Sequence, residues 1–178
     1  MKSALRKKVW AYVFLIGVAL VVVALDQVTK AWVRRTISIN EAYMPVEWLQ
    51  PYVTLRHIQN TGAAFGLFPG FGTVFMAVAA LVSLGIVVYV GRLDIPSPWL
   101  RLALGLLLGG TVGNLIDRIR MAGRVTDFVD LGWWPVFNVA DSCVVVGTII
   151  LAIFVLFGDI PTEDGATLVK AAGSDAED

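Results

Sequence analysis

The chain has 178 residues, 57% of them hydrophobic and 16% charged, and its 14 Lys and Arg balance 14 Asp and Glu. A mean hydropathy of +0.76 excludes an ordinary soluble domain, and zero net charge argues against a nucleic-acid partner. With one cysteine and one histidine there is no intramolecular disulfide and no ligand set suited to zinc, so neither a metal nor a cofactor is expected.

A basic head, Lys2 with Arg6-Lys7-Lys8, precedes an apolar run over residues 9–25. Its outline is that of a secretory signal peptide, but no A-x-A pattern follows. The run ends instead in Leu25-Asp26-Gln27. It reads as an uncleaved membrane span whose basic head stays in the cytoplasm. Asp26 and Lys30 lie four apart at its outer end, as an i,i+4 pair would.

The next segment, Pro51-Tyr-Val-Thr-Leu-Arg-His-Ile58, alternates in part and carries β-branched and aromatic residues, which predicts a strand. Asn60-Thr-Gly-Ala-Ala-Phe65 follows, with small residues that permit tight turns or close backbone approach. A second span is expected over 71–90. The loop Gly91-Arg-Leu-Asp-Ile-Pro-Ser-Pro98 turns the chain with two prolines, so spans two and three are antiparallel neighbours.

The third span is expected over 99–116. Its stretch Leu102 to Gly113, LALGLLLGGTVG, lets another helix come close. Asn114, Asp117 and Arg118 stand at its outer end, and Asp117 reads as the point where the helix leaves the bilayer. Arg124-Val-Thr-Asp-Phe-Val129 alternates again, so the two β segments together predict a small extracytoplasmic platform. The fourth span, over 136–157, begins with Asn138 and Asp141, three apart and therefore on one helical face. Asn138 alone could be a helix cap. Cys143, inside this span, reads as a small packing residue. The acidic tail over 159–178 is expected to be disordered and cytoplasmic.

Each span comes close to the length of about 20 apolar residues that a bilayer requires, and five of the six tryptophans fall near span ends. Four spans place both termini inside. Lys and Arg divide evenly, seven on each side, so the orientation rests on the N-terminal cluster. The fold class is thus an all-α membrane protein, a four-helix bundle carrying a small extracytoplasmic β cradle.

Polar groups inside a membrane are costly and raise a functional hypothesis by default. Here Asp26 and Lys30, Asn114, Asp117 and Arg118, and Asn138 and Asp141 all reach one leaflet, with Asp127 and Asn60 above them. A Ser/His/Asp triad using His57 lacks a Gly-x-Ser-x-Gly elbow. In a Ser–Lys dyad, Lys30 would have a carboxylate one turn before it and make a poor base. Two aspartates are the economical choice. When one keeps a proton, the other can take a proton from water, and peptide hydrolysis needs no metal. A proton-coupled transporter is the alternative, but it calls for charges at several depths of the bilayer. A structural subunit leaves the clustering unexplained.

Five blocks carry a resemblance: Leu25-Asp26-Gln27-Val28-Thr29-Lys30, Asn60 to Phe65, Gly113-Asn114-Leu-Ile-Asp117-Arg118, Val125-Thr-Asp127-Phe128 and Phe137-Asn138-Val-Ala-Asp141-Ser142. In order and content they resemble the signature blocks of lipoprotein signal peptidase, the bacterial type II signal peptidase. The resemblance implies an aspartyl endopeptidase of the inner membrane that cuts prolipoproteins before a diacylglyceryl-modified cysteine. It makes Asp127 and Asp141 the catalytic pair and Asp26, Lys30, Asn60, Asn114, Arg118 and Asn138 the supporting residues. Asp26 and Lys30 are expected to orient the outer loop or a lipid headgroup and not to transfer protons. The partners implied are such prolipoproteins and membrane lipids. A monomer is expected, with the site on the extracytoplasmic side.

Overall fold

A computed structural model describes residues 2–44, 46–50, 52–61, 70–92 and 97–157. Four helices carry the fold: α1 Lys2–Thr36, α2 Gly72–Arg92, α3 Pro98–Arg120 and α4 Val139–Phe157. Each contains a stretch long and apolar enough to cross a membrane. Leucines, valines and isoleucines such as Leu20, Leu81, Ile149 and Leu156 point outward from them, as side chains facing lipid do.

The central helix is α3, which packs against α1, α2 and α4. Its glycines explain how. A Cβ on Gly109 would stand 2.6 Å from the Val22 side chain and one on Gly113 2.7 Å from the Asp26 carboxylate, while one on Gly110 would overlap the Ala140 carbonyl. Close backbone approach through small residues is the usual way membrane helices gain packing contact. Lower in the bundle Leu15, Ala19, Val90, Leu100, Leu104 and Leu108 form an apolar cluster.

Helix α1 is longer than the expected span of 9–25 and runs on to Thr36 without a break. Asp26 and Lys30 therefore sit inside a helix and not at its end. The extension is stabilised by burial: Val33 and Ile37 pack on Phe128 of the sheet, each such side chain contributing roughly 1.5–3 kcal/mol. Helix α3 likewise runs past residue 116 to Arg120. Ser97 caps its start by accepting from the Leu100 N–H at 3.4 Å, and Pro98 occupies the first turn rather than a loop. Helix α4 begins at Val139, later than expected, since Phe137 bridges to Val129.

The cradle is a three-stranded antiparallel sheet, β1 Ala42–Tyr43, β2 Thr54–Asn60 and β3 Val125–Asp130, in that order. Strand β2 starts and ends later than the expected 51–58. An irregularity between Leu55 and Ile58 shifts its register, so that Ile58 faces Asp127 and Asn60 faces Val125. Asn60 and Asp127 thereby become diagonal neighbours on one face. Residues 62–69, including most of the Asn60 to Phe65 block, part of the loop over 91–98, and the tail over 159–178 lie outside the described residues.

Candidate active site

The site forms where the start of α4 meets α1, α3 and β3. Asn138 precedes the first residue of α4 and closes a reciprocal cap. Its Oδ1 accepts from the Asp141 N–H at 2.9 Å, and its own N–H donates to Asp141 Oδ2 at 3.2 Å. This is the geometry of a capping box with an aspartate in place of the usual glutamate. The side-chain amide does more, because Nδ2 donates to Asp127 Oδ1 at 2.6 Å. One asparagine thus ends a strand-to-helix turn and holds both carboxylates.

Each aspartate has a second amide donor. Asn60 Nδ2 donates to Asp127 Oδ2 at 3.0 Å, and Asn114 Nδ2 donates to Asp141 Oδ1 at 2.8 Å. Asp127 is only 3% exposed. Burial, and then the charge of Asp141, push its carboxyl up to about 7, against the opposing hydrogen bonds from Asn60 and Asn138. A carboxyl so placed has its charged form disfavoured.

Beneath the pair lies a fully buried ion cluster. Lys30 Nζ meets Asp26 Oδ2 at 2.8 Å, Asn114 Oδ1 at 2.8 Å and Asp117 Oδ2 at 3.4 Å. The three N–H bonds of the ammonium have three acceptors. Asp26 Oδ1 accepts from the Ala140 N–H at 3.1 Å, so it also serves the N-terminus of α4. Asp26 and Lys30, expected to orient an outer loop or a lipid headgroup, are both 0% exposed and hold Asn114 and the start of α4. Ser142, the serine of the fifth block, donates to the Asn138 carbonyl and not toward Lys30. His57 Nδ1 bonds the Ile37 carbonyl at 2.8 Å, which ties β2 to the end of α1. Among the described residues neither serine scheme has its geometry.

Arg118 stands at the rim with Asn60, Asn114, Asp127 and Asp141 around a cavity of about 590 Å³. Its guanidinium lies 5.9 Å from the centre of the Phe75 ring, and among the described residues its buried Nε has no hydrogen-bond partner. The rest of the wall is apolar and comes from Trp133, Trp134, Phe137 and the α4 residues Val144 to Val146. Since Val144 and Val145 follow Asp141 by one turn, the cavity extends from the carboxylates along the first two turns of the helix, to Val146. Among the described residues no three His, Cys, Asp or Glu side chains converge on a possible metal position.

All eight residues expected at the site border one connected region. Asp117, expected only as the exit of span three, belongs to it as well. It is 1% exposed, accepts from the Thr126 N–H at 3.0 Å and from Gln27 Nε2 at 3.2 Å, and contacts Lys30 and Arg34. Gln27, Arg34 and Thr126 are further members that sequence reasoning does not single out. The available signal is helical spacing, since Asp26, Lys30 and Arg34 recur every four residues on one face of α1.

The chain is similar to known proteins over most of its length. The family model described as Signal peptidase (SPase) II matches residues 18–157. A lipoprotein signal peptidase of Syntrophomonas wolfei is 47% identical over 140 residues, covering 79% of this chain and 91% of that protein. One of Mycolicibacterium smegmatis is 44% identical over 149 residues, covering 81% of this chain and 61% of its own longer length. A solved bacterial membrane enzyme superposes with a TM-score of 0.74 at 29% identity, covering 84% of this chain and 93% of its own.

Proposed function

The chain belongs to the signal peptidase II family, and on that premise we propose that it removes signal peptides from bacterial prolipoproteins by an aspartyl mechanism using Asp127 and Asp141. The observation that carries this reading is the asparagine-bridged carboxylate pair opening into a largely apolar cavity. The polar groups gather at one end of the bundle, which leaves the proton-coupled transporter without a path through the membrane.

In this scheme Asp127 carries the proton and donates it to the oxygen of the scissile carbonyl. Asp141 sits in the first turn of α4, where the helix N-terminus favours negative charge. It takes a proton from water as the water oxygen bonds to the carbonyl carbon. The tetrahedral intermediate then collapses. Asp141 passes its proton to the leaving nitrogen, the C–N bond breaks, and Asp127 recovers a proton from the hydroxyl that becomes the new carboxyl. Asn60, Asn114 and Asn138 fix the two carboxylates, and Arg118 is placed to hold a substrate carbonyl. Asp26 and Lys30 support this assembly from below.

The cleavage site lies before a cysteine bearing a diacylglyceryl group. A lipid-anchored peptide presents that bond at membrane depth, and the cavity runs from Asp141 past Val144, Val145 and Val146 in the first turns of α4, an apolar wall against which the start of an acyl chain would be at home. The enzyme works as a single multi-pass chain in the bacterial inner membrane, with both termini cytoplasmic and the pair on the extracytoplasmic side. Residues 1–158 form the peptidase domain. Purified enzyme in liposomes, given a precursor with and without the diacylglyceryl group, tests the reading. Release of the signal peptide only from the modified precursor supports it, and equal cleavage of both overturns the lipid requirement.

A further inference from the structure

Thr126, the residue before Asp127, is fully buried and held on three sides. Its N–H donates to Asp117 Oδ2 at 3.0 Å. Its carbonyl accepts from Asn138 Nδ2 at 3.4 Å. Its hydroxyl accepts from Arg34 Nη1 at 3.1 Å and points its own hydrogen to Met121 Sδ at 3.9 Å. The same Arg34 nitrogen reaches Asp117 Oδ1 at 3.4 Å, so one guanidinium group spans the end of α3 and the start of β3. Arg34 differs from the other cation beside Asp117: it is 27% exposed, whereas Lys30 is wholly buried.

We propose that Arg34 is a positioning residue for the reaction, acting through Thr126 and Asp117 to fix the backbone from which Asp127 projects. Two amides, from Asn60 and Asn138, hold the Asp127 carboxylate. The ladder to β2 sets Asp127 opposite Ile58 within the sheet, but it does not set where the sheet sits over the end of α3. The register of β3 against α3 is set by the Thr126 N–H to Asp117 bond, and Asp117 is itself shared between Lys30 and Arg34. One guanidinium nitrogen, Nη1, can bridge Asp117 and the threonine hydroxyl at once because it carries two N–H donors. Lys30 cannot replace it, since its three N–H bonds already serve Asp26, Asn114 and Asp117. A displacement of the carboxyl by about 1 Å would be enough to cost on the order of a hundredfold in rate. Arg35, the next residue, is exposed and has no place in this bridge.

The inference rests on the aspartyl reading, and one set of variants separates the two. Cleavage of a diacylglyceryl-modified precursor is followed in liposomes, with rates expressed per folded enzyme from a thermal-melt assay. Arg34→Met should lower kcat about 10- to 100-fold at unchanged KM, with the folded fraction retained. Arg34→Lys should recover part of that loss, and Arg35→Met should match the wild type. Thr126→Val should lose a similar factor, and the double variant Arg34→Met/Thr126→Val should be no slower than the worse single one, because both break one bridge. Wild-type kcat in Arg34→Met, a loss that vanishes once corrected for folded protein, or losses that multiply in the double variant would each overturn the proposal. Asp127→Asn is measured alongside: if it is active, the aspartyl reading fails whatever Arg34 does, and if it is inactive, the Arg34 variants decide the positioning role on their own.

Discussion

Lys30 donates to the side-chain carbonyl of Asn114 at 2.8 Å, and that bond leaves the Asn114 amide nitrogen facing Asp141. An amide can present either end to a carboxylate, and only the nitrogen end is attractive. The ammonium beneath the site thus selects the orientation that the pair above requires. Lys30→Met should remove this selection and strand Asp26 and Asp117 in a buried place. Breaking such an ion cluster costs roughly 3–5 kcal/mol, so the variant should melt well below the wild type in detergent. Asp26→Asn combined with Lys30→Met should recover part of the melting temperature, because one stranded charge is gone. Equal melting of Lys30→Met and wild type would contradict the buried ion cluster.

Asn138 has two tasks that substitution can separate. Serine keeps a side-chain oxygen able to cap α4 but cannot reach Asp127 with an N–H donor. Asn138→Ser should therefore hold stability within about 1 kcal/mol while kcat falls on the order of a hundredfold. Asn138→Ala loses the cap as well, and should melt lower than Asn138→Ser by the equivalent of about 1 kcal/mol. Melting curves and cleavage rates on the same preparations check both parts.

The proposed donor role of Asp127 carries a pH dependence. Its carboxyl is raised to about 7 in the fold against an ordinary value near ~3.9. The protonated form is the one the fold favours. Its contribution to stability is complete below the ordinary carboxylate range and is lost as pH rises through about 7. Activity should follow the same limb, with kcat falling above neutrality as the donor to the scissile carbonyl disappears. A rate that stays level from about pH 6 to about pH 9, on a substrate whose binding does not change, would remove Asp127 from the donor role.

Orientation in the membrane has a direct readout. With Cys143 replaced by alanine, a cysteine at Trp48, which is 74% exposed on the segment between α1 and β2, should react with an impermeant thiol reagent on intact spheroplasts. One at Arg6, exposed near the start of α1, should react only after permeabilisation. The reverse pattern would invert the molecule.

Much of this site was legible in the sequence because membrane burial makes polar residues conspicuous. Asp26, Asn114 and Asp141 interrupt runs of valine, leucine and glycine, and the glycines of α3 announced a close approach. The length of α1 was not legible, since residues 26–36 are polar enough to resemble a loop, and packing of Val33 and Ile37 on Phe128 keeps them helical. The register of β2 was equally hidden. It depends on an irregularity between Leu55 and Ile58 that alternation over eight residues could not place. The role of Asp117 was masked because its partners are far along the chain: Gln27 and Arg34 precede it by 90 and 83 residues, and a helix end is where an unpaired aspartate would be ordinary.

The most direct measurement is single-turnover cleavage of a diacylglyceryl-modified precursor by Asp127→Asn and Asp141→Asn enzymes in liposomes, with precursor binding measured separately. Both variants should bind the precursor as the wild type does and cleave it at least about a thousandfold more slowly, as the loss of a catalytic group entails. Turnover within about tenfold of wild type in either variant would contradict the two-aspartate mechanism.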